Sequence, residues 1–179
     1  MRSPRSLTSA LHPLAARRLA AYGIDVACYL GVAAATVPLG LAARHRWPIM
    51  PEPVVHALGT IPPIVAAAWA ACAEQSATGA TPGKRRMGLR VCTDDGTRLT
   101  ASQAGARAAA KVLVPWLAGH TVTIHAVYRG ERGPDALVWV SGVLAYGAVA
   151  LGVAQTVLEP GRPLHDRLAG SRVGHAAAG

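Results

Sequence analysis

The chain has 179 residues, 51% of them hydrophobic and only 15% charged, and its mean hydropathy is positive. Soluble domains carry about 25% charged residues, so this composition argues against an ordinary soluble domain, and the length suits one domain rather than two. Eighteen basic residues against nine acidic ones point to nucleic acid or to the anionic inner face of a membrane; the long apolar runs decide for the membrane, and no nucleic-acid partner is expected.

Alanine, valine and leucine supply the apolar content while phenylalanine is absent, which suits packed helices better than a sheet core. Sixteen of the basic residues are arginine, and the preference for Ala and Arg over Lys points to a GC-rich bacterial genome. Three cysteines, an odd number, argue against a disulfide framework; Cys92 is placed in a charged loop. Residues 1–16 are read as a cytoplasmic tail. The start, "MRSPRSLTSALHPLAARRLAAYG", has no compact apolar core closed by a cleavage site, so the run after Arg18 is expected to stay in the membrane.

The first apolar run, about Leu19 to Leu41, is long enough for a bilayer core, which takes roughly 20 residues. It contains an acid, Asp25, seven residues after Arg18. On a helix the stripe Arg18, Tyr22, Asp25, Tyr29 shares one face. Gly23, Ala27, Gly31 and Ala35 form a small-residue ribbon on another, where a second helix is expected to pack. The rise from Arg18 to Asp25 is roughly 10 Å, so each needs a partner from another segment. A lone aspartate at mid-helix costs on the order of 3 kcal/mol on insertion scales. Asp25 is therefore either half of a buried ion pair, with Arg107 or Lys111 as partner, or an ion, proton or head-group ligand.

The second run, Val54 to Ala73, contains Pro62-Pro63, where a kink is expected. A polar insert follows, "TGATPGKRRMGLRVCTDDGTRLTASQ". "LRVCT" and "TRL" flank Asp94-Asp95-Gly96, which predicts a short hairpin. "GATPGKRRMGLRV" is not a phosphate loop, because Gly79 to Gly83 is one residue short and Arg85 stands where Ser or Thr would bind magnesium. It reads as a tight cytoplasmic turn whose basic residues, Lys84, Arg85, Arg86 and Arg90, face anionic lipid head groups. Thr100 and Gln103 have capping-box spacing, and the helix they open carries Arg107 and Lys111 one turn apart along the interface.

The third run, Lys111 to Tyr128, is the weakest and holds Pro115, His120 and His125, while the fourth, Ala136 to Leu158, is a clear span. The seven histidines show no metal spacing: His120 and His125, five apart, lie on different helical faces, and no cysteine or carboxylate joins them. Neither a metal nor a cofactor is expected. No nucleophile with a base and an orienting group is recognisable, so an enzyme is not expected. After the last span, "GRPLHDRLAGSRV" puts Asp166 at the depth predicted for Arg18, and a contact between them is attractive. With the N-terminus inside and four crossings, 14 basic residues are cytoplasmic and four, Arg44, Arg46, Arg129 and Arg132, are outside, the split that the positive-inside rule asks for. Both termini are then cytoplasmic.

"RRLAAYGID", "GATPGKRRMGLRV" with "DDG" and an arginine helix after it, and "HDRLAGSRV" together resemble the RDD family of bacterial membrane proteins, named for one arginine and two aspartates. The resemblance covers roughly Ala16 to Val173. It matches the family arginine to Arg18 and the two aspartates to Asp25 and Asp166, the loop Gly-Lys to Gly83 and Lys84, and the helix arginine to Arg107. Gly23 departs from the family pattern, which has a bulky apolar residue there.

The expected fold is an all-α integral membrane helical bundle of about four transmembrane helices over residues 17–173, with a small cytoplasmic β-hairpin insert and a tail at 174–179. What the resemblance implies for function is an accessory or transport-associated component of the bacterial inner membrane. The alternatives are a small-ligand or Na+/H+ transporter built on Asp25, or a structural subunit of a larger complex. The expected partners are the bilayer, anionic head groups on the cytoplasmic face, and a larger membrane complex or homo-oligomer.

Overall fold

A computed structural model describes residues 12–47, 49–129, 133–158 and 161–176. The N-terminal tail through residue 11, Arg132, and the last three residues of the C-terminal tail lie outside the described residues, as does the side chain of Arg129. The protein is mostly helical. Helix α1 runs over Ala15–Arg46, longer at both ends than its apolar run, and buries Arg18, Ala21, Asp25 and Tyr29. Positions three or four apart stack on one face of a helix, so this stripe is the interior edge of α1. The ribbon Gly23, Ala27, Gly31, Ala35 is exposed, and a side chain added at Gly23 or Gly31 would meet nothing within 4 Å. That corrects the expectation of a second packed face.

The second run forms α2 (Glu52–Gly59) and α3 (Ile61–Gln75), interrupted at Thr60. Pro62 and Pro63 have no N–H to give to the carbonyls of Leu58 and Gly59, so the helix breaks where the kink is expected. The Thr60 hydroxyl donates to the Ala57 carbonyl at 2.7 Å and seals the break. Then come α4 (Pro82–Arg86), strand β1 (Leu89–Thr93) and α5 (Ala101–Ala108). The capping box forms: the Thr100 hydroxyl accepts from the Gln103 amide at 3.3 Å, and the Gln103 side chain accepts from the Thr100 amide at 2.9 Å. A π-helical turn, Ala109–Leu113, carries α5 into α6 (Val114–Arg129). Pro115 removes the donor that would bond the Lys111 carbonyl, and the wider π turn just before it lets the helix continue unbroken. The chain ends with α7 (Ala136–Val157), α8 (Leu164–Leu168) and β2 (Ser171–His175).

Among the described residues, three helical stretches are long and apolar enough to cross a membrane: Ala15–Arg46, Glu52–Gln75 and Ala136–Val157. Their outer faces carry Leu39, Leu41, Trp139, Val140, Val143 and Tyr146 fully or half exposed. An apolar surface this extensive suits lipid rather than water. Inside, Tyr29, Ala66, Ala67, Ala70, Ala108 and Val112 form the main core, where α1, α3 and the α5–π segment meet. The small side chains of α3 allow close approach there, and Tyr29 meets Trp69 edge to face with ring centroids 6.0 Å apart.

The hairpin expectation needs correction. The Asp94–Gly96 turn forms, with the Thr93 amide donating to the Thr97 carbonyl at 3.0 Å, but no return strand follows it. Leu99 instead turns inward onto Val91 and Ala104, and Thr100 starts α5. The partner of β1 is β2, antiparallel, with Val91 opposite Val173 and Cys92 opposite Arg172. Cys92 is thus buried on a strand rather than sitting in a charged loop. The two strands are entered alike: the pattern Arg-X-X-Gly-X-Arg-Val occurs at 85–91 and again at 167–173. In both, a short helix ends on a glycine with positive φ, Gly88 (65°) and Gly170 (56°), the residue best suited to a left-handed helix end. The Val91–Val173 pair is the centre of this local two-fold.

Candidate functional site

The charged residues gather at the end of the bundle that holds this strand pair. Asp166, third residue of α8, is fully buried and accepts from two arginines. Its Oδ2 takes Arg18 Nη2 at 2.9 Å, and its Oδ1 takes Arg107 Nε at 2.8 Å. Arg18 also donates to the Gly161 carbonyl, and Arg107 to Glu74 Oε1. Glu74 then accepts from Lys84 Nζ at 2.9 Å. Lys84 continues to Asp25 Oδ2 at 3.4 Å, and Lys111 Nζ lies 3.9 Å from the same oxygen. The result is one buried ladder of alternating charge, Arg18–Asp166–Arg107–Glu74–Lys84–Asp25–Lys111, contributed by α1, α3, α4, α5, the π turn and α8. Lys84 and Asp166 occupy equivalent positions in the two helix–glycine–strand units. One is a cation between two acids and the other an acid between two cations.

Both oxygens of Asp25 are engaged. Its Oδ1 accepts from the Gly83 amide at 2.9 Å, and its Oδ2 from the Thr81 hydroxyl at 2.7 Å as well as from Lys84. Gly83 has a steric reason: a Cβ there would meet the Ala21 carbonyl oxygen at 2.1 Å and Asp25 Oδ1 at 2.7 Å. Only glycine brings the α4 backbone close enough to α1 for this bond. Outside the spanning helices, burial would raise the Asp166 carboxyl, but the charge of Arg107, supported by Arg18, outweighs it and holds the group below its usual range. Burial likewise works against the Arg107 guanidinium, and Asp166 and Glu74 reverse the effect and hold it above its ordinary value. His165 Nε2 is 3.6 Å from Asp166 Oδ1, yet burial, and then Arg107, push the imidazole down to about 3. At neutral pH that contact is not an ion pair.

Four cations, Arg18, Lys84, Arg107 and Lys111, face three carboxylates, Asp25, Glu74 and Asp166. By formal charge, one positive charge is left over. Lys111 is the least compensated cation: its carboxylate is 3.9 Å away, and its ammonium sits 5.2 Å from the Tyr22 ring centre. All four cations line a cavity of about 80 Å³, with His165 and Thr156 on its wall. Tyr22, Lys111, Pro115 and Val149 border both this cavity and a larger apolar crevice of about 330 Å³ between α1, α6 and α7, walled by Tyr29, Trp116 and Tyr146. Lys111 lies within the π turn, a distortion that recurs at functional sites in helices.

The structure brings Arg18, Asp25, Lys84, Arg107 and Asp166 into this one ladder, with the Gly83 amide bonded to Asp25. It differs from the sequence reading in two contacts. Of the two cations expected to pair with Asp25, Lys111 lies 3.9 Å from it while Arg107 is joined to it through Glu74 and Lys84, and Lys84 is buried rather than turned toward lipid; Arg85 and Arg86 are exposed. Two residues were not anticipated, Glu74 within the ladder and Thr81 hydrogen-bonded to Asp25. The signal for Glu74 was an acid closing the otherwise uncharged second run, ten residues before Lys84.

No curated protein and no solved structure matches the chain. The RDD family model matches residues 12–170, a range that holds every member of the ladder, from Arg18 to Asp166, and by this match the chain belongs to the RDD family.

Proposed function

We propose that the protein is a four-pass component of the bacterial inner membrane with both termini cytoplasmic. In this reading it is an accessory, transport-associated member of its membrane that holds an anionic amphiphile, and not a cation-coupled transporter. The observation that carries this is the charge count at the cavity. Both oxygens of Asp25 already accept hydrogen bonds, and the buried charge that remains is positive. A carboxylate with three of its roughly four acceptor sites taken, one of them by an ammonium, is a poor ligand for Na+, whereas an uncompensated buried ammonium favours an anion. The apolar crevice continuing from Lys111 suits an acyl chain, so a phosphate-type head group with its chain in the crevice satisfies both parts. The fourth crossing is the helix through the π turn and α6, which at about 1.5 Å per residue spans roughly 30 Å.

The test is thermal unfolding in maltoside micelles with added dodecyl phosphate or, in parallel, dodecylphosphocholine. Dodecyl phosphate should raise the melting temperature, the zwitterionic analogue should not, and Lys111→Met should abolish the difference. An equal response to both amphiphiles, or a response kept in Lys111→Met, refutes the reading.

A further inference from the structure

At the opposite end of the bundle from the charge ladder, α2 begins and α6 ends side by side. Glu52 and His56 lie one turn apart on α2, so their side chains share a face. His125, near the end of α6, is only 5% exposed. Its Nε2 points at Glu52 Oε1 from 3.4 Å, and His56 Nε2 approaches the same oxygen at 3.7 Å. The three donor atoms all lie within 4.8 Å of one another.

These separations are long for hydrogen bonds, which fall between about 2.7 and 3.2 Å for N–H···O. They are close to what a shared ion requires. Zn–N and Zn–O bonds of about 2.0–2.1 Å put neighbouring ligand atoms of a tetrahedral site about 3.3 Å apart. The back of His125 is arranged in keeping with this. Its buried Nδ1 makes no hydrogen bond, and the carboxylate oxygen Asp135 Oδ2 stands 4.0 Å away. A carboxylate behind a ligating imidazole fixes its tautomer and raises its basicity. Asp135 is itself held as the N-cap of α7, with Oδ1 accepting from the Val138 amide at 3.0 Å. All three ligands stand on helices rather than loops, and small side-chain rotations close the set.

We propose that Glu52, His56 and His125 form a binding site for a first-row divalent cation of the zinc type, with Asp135 positioning His125. Two imidazoles and one carboxylate are the donor set such ions prefer over magnesium or calcium. The fourth position is open to water. The ion clips α2 to α6 and, through Asp135, to the start of α7.

The experiment uses untagged full-length protein, stripped with chelator in detergent and titrated with zinc alone, then with cobalt(II) as a spectroscopic stand-in. Wild type should take up one zinc per chain, melt at a higher temperature with zinc than without, and give the visible absorption of tetrahedral cobalt. Asp135→Asn, which preserves the cap, should weaken binding by about 10–100-fold. His125→Ala, His56→Ala and Glu52→Gln should each weaken it more, and His45→Ala should leave it unchanged. Should a ligand variant not fold, the wild-type zinc-dependent melting shift and Glu52→Asp still report on the site. No zinc uptake by wild type, or uptake unaffected by His125→Ala, overturns the proposal.

Discussion

Replacing Asp25 by asparagine keeps the size of the side chain and removes one charge from the ladder. The amide oxygen can still accept from Gly83, but the amide nitrogen then faces Thr81 and Lys84, 2.7 and 3.4 Å from the lost oxygen. At an effective dielectric of about 20, a unit charge pair near 4 Å is worth about 4 kcal/mol, and both Lys84 and Lys111 lose such a partner. Part of that attraction only offset desolvation, so the expected net cost is the roughly 3–5 kcal/mol typical of a broken buried pair. The structure also says which second substitution restores stability. Lys84 serves Glu74 at 2.9 Å as well as Asp25, so Asp25→Asn with Lys84→Gln leaves Glu74 short of a partner and should recover little. Lys111 has Asp25 as its near carboxylate at 3.9 Å, so Asp25→Asn with Lys111→Met should recover about 2 kcal/mol. Lys111→Met alone removes the surplus cation and should cost less than about 1 kcal/mol. The assay is equilibrium unfolding in detergent, closed as a double-mutant cycle. An Asp25→Asn protein as stable as wild type, or better rescue by Lys84→Gln than by Lys111→Met, refutes the ladder as drawn.

Acid should loosen this end of the bundle through His165. Its folded value near 3 is depressed from 6.5, so below pH 6.5 the unfolded chain binds a proton that the folded chain refuses. Stability should therefore fall as pH drops through that window, by about 2 kcal/mol between about pH 6.5 and 4.5; His165→Asn should flatten the slope, and an unchanged slope tells against the burial of the imidazole. The lowered Asp166 acts in the same direction, its contribution present above its unfolded value of 3.8 and lost as pH falls below it. Gly83→Ala should cost at least about 2 kcal/mol from the overlap with the Ala21 carbonyl; a neutral Gly83→Ala shows that α4 does not rest on α1.

Much of the fold was legible because periodicity and breakers are local signals. The four apolar runs, the break before Pro62-Pro63 and the Thr100–Gln103 box all rest on neighbours within a few residues. The strand pairing was not, because an Asp-Asp-Gly turn is a strong local cue while the true partner of β1 lies 82 residues on and has only five residues to show. At the charge ladder, Arg18, Asp25 and Asp166 stood out as charges in or beside apolar runs. Glu74 did not, because an acid at the end of a run hardly changes the average hydropathy that defines it. At the other end, the histidine spacing was read within the third run alone, where no carboxylate accompanies His120 and His125. The informative spacing, Glu52 to His56, pairs a histidine with a carboxylate in a different run from His125.

The contact between Arg18 and Asp166 joins residues 148 positions apart, and this sets the order in which the protein can be made. At a synthesis rate of about 5–20 residues per second, Arg18 waits roughly 7–30 s after it emerges before its aspartate exists. Over the last 59 residues of that wait Arg107 also lacks half of its counter-charge, and β1 presents an open edge with nothing to pair. Helix insertion can proceed from the first run onward, but closure of the charged end waits until α8 has been made. A nascent chain that stalls before α8 holds two buried arginines without Asp166. Quality control therefore has a long window in which to find it.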